Sequence, residues 1–304
     1  MKSIVIIIPF FGTLSNTFKF WYQSALNNPT INFLLFTDCC ISNAKNIKVI
    51  ECSFNKFIQD IQSKFDFKIN ISAPYKLCDF KPAYGDIFQE YIRNYDFWGF
   101  GDVDLVYGDI RYFITEDKLN TYDIISGWGH LTLYRNNQYC NNFYKKNISG
   151  FQFYKDVFSN PQNSLFDEYH RKGIGDLWKF LHPDKVWDHR LFDDIKIPRH
   201  KIHFYSVFHP EYSNFLIFEY DNDLYRLYVK KNKIVREKSL YVHLQKRKMK
   251  IRTNNVNKYL IVPNCFINYK NVNIFRIILW GHNRNLDLYF YKVKNKIKHI
   301  LGNK

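Results

Sequence analysis

Two aspartates two positions apart are the residues of this chain best suited to metal chemistry. Asp102 and Asp104 follow the apolar, glycine-bearing run FWGFG at residues 97–101. Because side chains two positions apart on a strand point to the same side, both carboxylates can meet one point just beyond the strand's end. A divalent ion such as Mg²⁺ or Mn²⁺ prefers oxygen ligands of this kind and can bridge a diphosphate. We predict a metal site here; the alternative is a solvated turn without a ligand.

Apolar runs upstream of the aspartates predict the elements that would hold them. Residues 3–8, 32–37 and 47–52 have the composition of strands, and the first run suits a parallel strand buried on both faces. Residues 16–27 and 54–67 have the composition and spacing of helices. Ligands bind at the carboxyl ends of the strands in open α/β sheets, which is where the aspartate pair is expected. The order of elements indicates a nucleotide-binding type of α/β fold.

Further elements are expected toward the C-terminus. We predict a helix over residues 76–93 interrupted at Pro82, a helix over 110–119, strands over 123–126 and 131–134, hairpin strands over 207–229, and a closing strand over 240–244. The acidic pair Asp193 and Asp194 receives no role from the sequence. HExxH, GxSxG, P-loop and GxGxxG motifs are absent from the chain, so the chemistry that depends on those motifs is not expected.

The basic charge of the chain is confined to its last part. The net charge is +16, yet residues 1–224 carry 24 Lys and Arg against 26 Asp and Glu, whereas residues 225–304 carry 20 against 2. We therefore predict a near-neutral domain over residues 1–249 and a basic C-terminal segment over residues 250–304. Such a segment is attracted to anionic lipid headgroups or to nucleic-acid phosphates.

The C-terminal segment combines lysines with apolar residues. It contains FRIILW and LYFYKVKNKIKHIL, in which apolar residues alternate with or flank lysines. We predict an amphipathic element on an anionic membrane surface; packed helices with a basic outer face and a partner-binding segment are the alternatives. A nucleic-acid partner is not expected, because a dedicated nucleic-acid binder would spread basic charge over the whole fold.

Cysteine usage and the N-terminal residues bear on location. The six cysteines form no CxxC pair and no metal-ligand spacing, which favours reduced thiols in the cytoplasm. Pro9 interrupts the apolar run MKSIVIIIPFFG, which we interpret as a first strand and not as a signal peptide. No segment reaches the roughly 18 consecutive apolar residues of a spanning helix. We expect a cytoplasmic protein, at most peripheral at the inner face of the cytoplasmic membrane.

Several motifs together resemble a family of bacterial GT-A-fold glycosyltransferases of surface-polysaccharide gene clusters, those for capsule and lipopolysaccharide. The motifs are IVIIIPFFG, FTDC, YKLCDFKPAYGDIF, FWGFGDVDLVYGDI, YDIISGWGHLTLYRN and YVHLQKRKM. The resemblance covers about residues 1–250. It implies a GT-A-like, Rossmann-type mixed α/β sheet with flanking helices, followed by the basic appendage.

The activity that the resemblance implies is hexosyl transfer. The donor would be a nucleotide diphosphate sugar, with UDP-sugars favoured, and the acceptor a hydroxyl of a glycan or lipid-linked glycan. The cofactor would be Mn²⁺ or Mg²⁺. A nucleic-acid-binding protein and a DxD-type nucleotidyltransferase that releases pyrophosphate are the competing hypotheses.

The resemblance also assigns the diphosphate end of the donor site. Asp102 and Asp104 would be the metal- and diphosphate-binding DxD motif, and His243 would be a further metal ligand. Lys246 and the basic residues after it would fold over the departing diphosphate. The alternative for His243 is a structural or merely exposed histidine.

Residues near the first two strands would hold the nucleoside in such an enzyme. Pro9, Phe10 and Phe11 follow the first strand, and Asp38 follows the second, where it could accept a hydrogen bond from a uracil or ribose group. The alternative for Asp38 is a helix N-cap or turn residue.

An acidic and a basic residue lie between these strands and the DxD motif. Lys81 would neutralise phosphate charge, Asp79 would orient it or hold the ribose, and Tyr84 would line the same site. The alternative for Asp79 and Lys81 is a surface ion pair.

Two segments after the DxD motif are assigned to the sugar and the acceptor. The turn SGWGH contains Gly127 and His130 with an aromatic ring between them that could stack on a sugar; a plain turn is the alternative. In FDEYH, Asp167 or Glu168 would be the general base in an inverting reaction. A solvated helix N-terminus explains these two carboxylates equally well.

Overall fold

The computed structural model describes residues 1–188, 190–195, 204, 206, 216–245, 247–281, 293 and 296. The chain forms two compact units. Unit 1 comprises Met1–Ser15, Asn28–Val103 and Ile110–His189, and unit 2 comprises Asn16–Asn27, Asp104–Asp109 and Arg190–Lys304. Each unit therefore contains segments that are distant in sequence.

The described strands and helices are numbered in chain order. The strands are β1 (Ile4–Phe10), β2 (Ile31–Thr37), β3 (Ile47–Glu51), β4 (Phe97–Gly101), β5 (Leu105–Tyr107), β6 (Ile124–Trp128), β7 (Leu131–Arg135), β8 (Val186–Trp187), β9 (Asp193–Asp194), β10 (Ile217–Asp221), β11 (Leu224–Lys230), β12 (Lys233–Lys238), β13 (Tyr241–His243), β14 (Lys250–Arg252), β15 (Lys258–Val262) and β16 (Cys265–Asn268). The α-helices are α1 (Phe18–Leu26), α2 (Phe54–Gln62), α3 (Tyr84–Ile87), α4 (Gln89–Ile92), α5 (Ile110–Phe113), α6 (Glu116–Thr121), α7 (Gln138–Asn142), α8 (Tyr154–Ser159), α9 (Ile174–Leu181) and α10 (Ile274–Gly281). Pro74–Ala83, Phe143–Lys145 and Pro183–Lys185 are 3-10 helices.

Unit 1 is built on a mixed sheet with the strand order β3-β2-β1-β4-β7-β6-β8. The first four strands in this order are parallel, β7 is antiparallel to β4 and to β6, and β8 is parallel to β6. Ile4 to Ile8 of β1 are all buried, as expected for a β-branched strand in the middle of a parallel sheet. The prediction of an α/β fold with a mixed sheet and flanking helices is confirmed.

The helical segment between α2 and β4 differs from the prediction. The sequence predicted one helix over residues 76–93, but the structure has a 3-10 helix over Pro74–Ala83 followed by the short helices α3 and α4. Proline has no N–H and its ring clashes with the preceding turn, so Pro82 does not permit a regular α-helix through this segment. The predicted helix over 110–119 is likewise divided, into α5 and α6.

A glycine in β4 allows close approach of its antiparallel neighbour. Gly99 lies opposite Leu133 of β7. A Cβ atom at Gly99 would overlap the carbonyl oxygen of Thr132 and the side chain of Leu133. The glycine in FWGFG therefore has a packing role, and it helps to position the chain just before Asp102.

Unit 2 contains two sheets among its described residues. One has the order β12-β11-β10-β15-β16-β14, and the other has the order β5-β13-β9. Helix α1 packs in the same core, where the ring of Phe20 stacks on Phe266 at a centroid distance of 4.1 Å.

The predicted boundary between residues 249 and 250 falls inside this unit. β15 pairs antiparallel with β10, with Phe218 opposite Ile261. Tyr259 to Ile261 are fully buried, so residues 258–262 form a core strand and not part of an appendage. FRIILW contributes α10, whereas most of LYFYKVKNKIKHIL lies outside the described residues.

Within the described part of the chain, no helix has both the length and the apolar character needed to cross a bilayer.

Candidate functional site

The parallel strands of unit 1 create a switch point at their carboxyl ends. From β1 the chain continues to β2 and β3 on one side, whereas β4 lies on the other side of β1. Ligands of open α/β sheets bind in the crevice that forms where the order reverses in this way. Asp38 follows β2 and Asp102 follows β4. Two predicted site residues therefore follow strands that flank β1 directly.

The turn after β1 is bonded to the turn after β2. The backbone N–H of Gly12, whose φ of 111° is in the left-handed region, donates to Asp38 Oδ1 at 3.1 Å. The Cys39 thiol donates to the Gly12 carbonyl at 2.9 Å. The structure thus brings Asp38 to the end of β1, as a site that binds a nucleoside would require, and leaves this carboxylate exposed.

The three residues predicted beside Asp38 differ in their surroundings. Pro9 and Phe10 end β1 and are half-buried. Phe11 is buried, and its ring packs against Phe54 and Phe57 at centroid distances of 5.2 and 5.0 Å. The structure therefore places the Phe11 ring in the core, where it cannot stack on a nucleoside.

Lys81 connects three parts of unit 1. Its side chain is 7% exposed, and its Nζ donates to Asp102 Oδ1 at 2.8 Å and to the Gly129 carbonyl at 2.5 Å. The same nitrogen lies 3.5 Å from Asp167 Oδ2. Burial lowers the pKa of Lys81, but the negative charges of Asp102 and Asp167 outweigh this effect and raise the pKa well above its usual value. Lys81 is therefore a buried residue that stays positively charged. It does not form the surface ion pair with Asp79 that the sequence left as the alternative.

Asp79 has a different role from the one predicted. It is fully buried, and its Oδ2 accepts from Lys76 Nζ at 2.7 Å and from the Ser164 N–H at 2.8 Å. Its Oδ1 accepts from the Phe166 N–H at 3.0 Å. The carboxylate is occupied inside the protein, where it fixes the loop that carries Asp167, and so cannot hold a ribose. The predicted pair of Asp79 with Lys81 is replaced by Asp79 with Lys76.

Tyr84 is also buried, and its hydroxyl donates to the Leu77 carbonyl at 3.2 Å. It packs against Phe88 with ring centroids 5.3 Å apart. The structure therefore gives Tyr84 a place in the core of unit 1 and not on the lining of an open site.

The two carboxylates predicted as general bases lie in contrasting environments. Asp167 is buried, and its Oδ1 has no hydrogen-bond partner among the described residues. Burial raises the pKa of Asp167 to about 7, with Lys81 acting in the opposite direction. Glu168 is exposed. Glu168 is therefore accessible from solvent, whereas Asp167 lies beneath the surface beside Lys81.

The predicted SGWGH turn does adjoin these carboxylates. Gly127 lies in β6, and His130 is buried in the turn that follows. A Cβ atom at Gly129 would lie 3.1 Å from Asp167 Oδ2 and from Glu168 Cγ. Trp128 donates through Nε1 to Asp188 Oδ1 at 2.9 Å and packs against Tyr169. The two segments assigned to sugar and acceptor are neighbours in unit 1.

In unit 2 the chain brings Asp104 to His243. β13 is antiparallel to β5, with His243 opposite Leu105, and parallel to β9, with His243 opposite Asp194. His243 Nε2 lies 3.4 Å from Asp104 Oδ1, and the Leu244 N–H donates to the Asp104 carbonyl at 3.1 Å. Residues 139 positions apart in the sequence are thus adjacent, as the metal hypothesis requires.

Asp194 holds the other nitrogen of His243. His243 Nδ1 lies 2.9 Å from Asp194 Oδ1, which also accepts from Gln245 Nε2. A carboxylate on one ring nitrogen, with the other nitrogen directed at potential ligands, is the arrangement found around metal-binding histidines. The sequence analysis missed Asp194. The available signal was an acidic pair flanked by Phe192 and Ile195, since buried carboxylates between apolar residues need a partner.

The electrostatics of this cluster suit a cation. Burial lowers the pKa of His243, but Asp104 and Asp194 outweigh it and raise the pKa to about 10. The imidazolium therefore supplies positive charge between two carboxylates. Carboxylate oxygens suit Mn²⁺ and Mg²⁺, and a neutral imidazole nitrogen is a ligand of divalent transition-metal ions, so a divalent ion that displaces the His243 proton fits the residues present.

The DxD residues do not lie on a strand. Asp102 and Asp104 lie in the turn between β4, which ends at Gly101, and β5, which begins at Leu105. The alternation of side chains along a pleated strand therefore does not orient them. Lys81 holds Asp102 within unit 1, and the contact with His243 holds Asp104 within unit 2.

The basic residues after His243 are not grouped as predicted. Lys246 lies outside the described residues. Arg247 is buried, and its Nε donates to Asn264 Oδ1 at 2.5 Å. Burial lowers the pKa of Arg247 to about 10. Arg247 therefore belongs to the core of unit 2 and does not extend over a diphosphate.

The fold and the site define an α/β protein with an acidic switch-point edge and a carboxylate–histidine–carboxylate cluster. The chain belongs to DUF6625, a family of unknown function whose model matches residues 6–270. No curated protein matches the chain.

Among solved structures, the chain is similar to galactosyltransferase LgtC in complex with donor and acceptor sugar analogs. The identity is 13%, the match covers 64% of this chain and 76% of that chain, and the TM-score is 0.34. It is also similar to mouse xyloside xylosyltransferase 1 in its apo form, at 12% identity, with 64% and 87% of the two chains covered and a TM-score of 0.35.

Proposed function

We propose that this protein is a metal-dependent glycosyltransferase that moves a hexose from a nucleotide diphosphate sugar to a hydroxyl of a glycan. The observation that carries the proposal is the cluster in unit 2, where His243 is held by Asp194 and directed at Asp104. Asp104 belongs to the DxD motif, so the residue that the motif supplies already has an imidazole beside it. The sugar substrate is inferred from the motif resemblance described above.

The proposed ligands of the ion are Asp104 and His243, both in unit 2. A divalent ion bound there would neutralise the charge of the donor's diphosphate and of the departing nucleoside diphosphate. Within unit 1, Lys81 holds Asp102, the other aspartate of the DxD motif, through a hydrogen bond to its Oδ1. Asp194 supports the proposed ligands because its hydrogen bond orients the imidazole of His243.

The remaining roles follow from exposure and position. Asp38 is exposed beside Gly12 at the end of β1 and is proposed to accept a hydrogen bond from the nucleoside. In an inverting reaction, the acceptor oxygen forms the new bond to C1 while the bond from C1 to the diphosphate oxygen breaks. The acceptor proton passes to Glu168, the exposed member of the pair Asp167–Glu168.

The finer assignments belong to the same proposal. The donor is a UDP-sugar, the ion is Mn²⁺ or Mg²⁺, and the acceptor is a surface glycan or lipid-linked glycan at the cytoplasmic face of the membrane. A nucleotidyltransferase would use a similar carboxylate cluster but would release pyrophosphate from a nucleoside triphosphate. The product therefore distinguishes the two enzymes.

The experiment that tests the proposal is substitution of Asp104. Asp104→Ala should abolish Mn²⁺-dependent release of UDP from UDP-sugars, because it removes a proposed ligand. The melting temperature should change by only a few degrees, because the Asp104 side chain is 29% exposed. A panel of UDP-, GDP- and CMP-sugars, each with and without Mn²⁺, identifies the donor by thermal stabilisation of the wild-type protein.

Asp117→Ala is the matched control, since Asp117 is an exposed aspartate on α6. It should retain wild-type turnover. Full activity of Asp104→Ala would remove the metal hypothesis, and pyrophosphate release from nucleoside triphosphates would replace the glycosyltransferase with the nucleotidyltransferase.

Asp194→Asn tests the orientation of the imidazole separately from the ligand itself. An amide can still accept a hydrogen bond from Nδ1 but no longer supplies the negative charge, so Mn²⁺ affinity should fall about 10- to 100-fold. Calorimetric titration of Mn²⁺ measures the change. Unaltered Mn²⁺ affinity would show that Asp194 has no part in the metal site.

A further inference from the structure

Helix α10 presents an apolar stripe at the surface of unit 2. Ile277 and Gly281 are buried, whereas Phe275 is 72%, Ile278 39% and Leu279 41% exposed. Positions i, i+3 and i+4 lie on one face of a helix, so these three side chains form one continuous strip. We name Phe275, Ile278 and Leu279 the α10 stripe.

The sequence from Lys270 to Lys304, which includes α10, is strongly basic. Residues 270–304 carry 8 Lys and Arg against 1 Asp or Glu. Lys270, just before α10, is exposed. Arg276 lies within α10 and is placed over the ring of Trp280, 5.7 Å from its centroid. An apolar strip flanked by basic residues and a tryptophan matches the composition of elements that lie in the interface of an anionic bilayer.

We propose that the α10 stripe docks on the surface of an anionic lipid bilayer. Phe275 and Leu279 enter the boundary between headgroups and acyl chains, and Lys270 and Arg276 bind the lipid phosphates. This inference goes beyond the proposed enzymatic function and does not depend on it.

Size and chemistry favour a bilayer over other partners. A stable protein–protein interface buries about 800 Å² on each partner, which three side chains on a two-turn helix do not supply. A nucleic acid would use the basic residues but would gain nothing from exposed phenylalanine and leucine side chains unless bases stacked on them. Attraction of basic residues to an anionic surface does not require a large apolar area, because charge and insertion act together.

The test is co-sedimentation of the full chain with lipid vesicles. Vesicles of phosphatidylcholine mixed with phosphatidylglycerol should bind the protein, whereas vesicles of phosphatidylcholine alone should bind it much less. The double variant Phe275→Ser/Leu279→Ser should lower partitioning to anionic vesicles by about tenfold or more, because it removes the inserted apolar groups. High salt should weaken binding of the wild-type protein, since salt screens the attraction.

Phe180→Ser provides the matched control. Phe180 is 65% exposed on α9 in unit 1, and residues 1–224 carry 24 Lys and Arg against 26 Asp and Glu, so this variant should bind vesicles within about twofold of wild type. Melting curves of both variants establish that each is folded. The single variant Phe275→Trp, in which Leu279 is unchanged, should bind anionic vesicles as the wild-type protein does. An indole ring suits the membrane interface.

Four results would overturn the proposal. The wild-type protein could fail to bind anionic vesicles at low salt, or the double variant could bind as well as the Phe180→Ser control. Alternatively, the double substitution could convert a dimer to a monomer in sedimentation, or abolish retention on duplex DNA, without altering vesicle binding. The last two outcomes would assign the stripe to a second copy of the chain or to a nucleic acid.

Discussion

Asp167 is a carboxyl group for which burial and a neighbouring cation act in opposite directions. Lys81 Nζ lies 3.5 Å from its Oδ2, which favours the ionised form. Burial is the larger effect and raises its pKa to about 7. The folded protein thus binds a proton at Asp167 more tightly than the unfolded chain does, and the buried, ionised form is costly at neutral pH.

The stability of the Asp167→Asn variant should therefore depend on pH relative to wild type. Because the folded pKa is raised above the unfolded value, the contribution of Asp167 to stability is greatest below about pH 4 and is lost as pH rises toward 7. The variant should match wild type near pH 4 and exceed it by up to about 4 kcal/mol above pH 7. Urea unfolding at both pH values measures this difference.

Glu168→Gln supplies the comparison for that experiment. Glu168 is the exposed neighbour of Asp167, so its substitution should give no gain in stability that grows with pH. An Asp167→Asn variant that is less stable than wild type at pH 8 would contradict the prediction. It would mean that the ion pair with Lys81 outweighs the burial of the carboxylate.

The contacts of individual residues were predictable where a motif in the sequence indicates them. The DxD motif and the late histidine predicted the adjacency of Asp104 and His243, which the structure contains. Asp194 could not be assigned, because its contact with His243 depends on the pairing of β9 with β13 across 49 residues. Asp79 was assigned to a ligand, but a carboxylate that binds N–H groups of its own chain has the same sequence signature.

At the scale of elements, β4 and β7 owe their close pairing to a residue without a side chain. Gly99 lies opposite Leu133, and the Thr132 carbonyl occupies the space that a Cβ atom would need. The backbone oxygen cannot move without loss of ladder hydrogen bonds. The position of β4 relative to β7, and with it the start of the turn that carries Asp102, depends on this glycine.

Gly99→Ala should therefore destabilise the protein by about 3 kcal/mol, at the upper end of the usual cost of overpacking. Gly150→Ala is the matched control. Gly150 has a φ of 90° but no neighbour within 4 Å of an added Cβ atom, so only backbone strain of about 1 kcal/mol is expected. Denaturant unfolding ranks the two variants, and an equal loss of stability in both would contradict the packing argument.

Elements were predictable where one local signal dominates. The apolar runs of β1 and β2 and the run FWGFG before the DxD motif predicted buried strands, and α2 begins after Ser53 as an N-cap, its hydroxyl accepting from the Lys56 N–H at 3.2 Å. The two-residue strands β8 and β9 could not be predicted, because their existence depends on distant partners. For the 3-10 helix at Pro74–Ala83, Pro82 indicated an interruption but not the geometry that replaced the helix.

At the scale of the whole molecule, the two units are interleaved along the chain. Unit 2 takes α1 from residues 16–27, β5 from residues 104–109 and the rest from residue 190 onward. β15 pairs with β10, and β13 pairs with β5. The predicted division at residue 249 assumed that charge separates domains, but charge describes the surface, whereas strand pairing and burial define the unit.

A chain that ends at residue 249 should therefore fail to fold its unit 2. The truncation removes β14, β15 and β16, and with them the buried residues Tyr259, Ile261 and Phe266 of the core cluster. We expect loss of a cooperative thermal transition for this unit, together with binding of a hydrophobic dye, in comparison with the full chain. A truncated chain with a wild-type melting temperature would show that residues 250–304 are the separable appendage that the sequence suggested.

The stacking of Phe20 on Phe266 has a consequence for synthesis of the protein. A ribosome synthesises the chain from the N-terminus, so Phe20 is added 246 residues before Phe266. During that interval the nascent polypeptide must carry the apolar side of α1 without its native cover, which is the situation in which chaperones bind and aggregation begins. Synthesis of Phe266, and not the appearance of any early segment, therefore sets the earliest moment at which this aromatic pair can close.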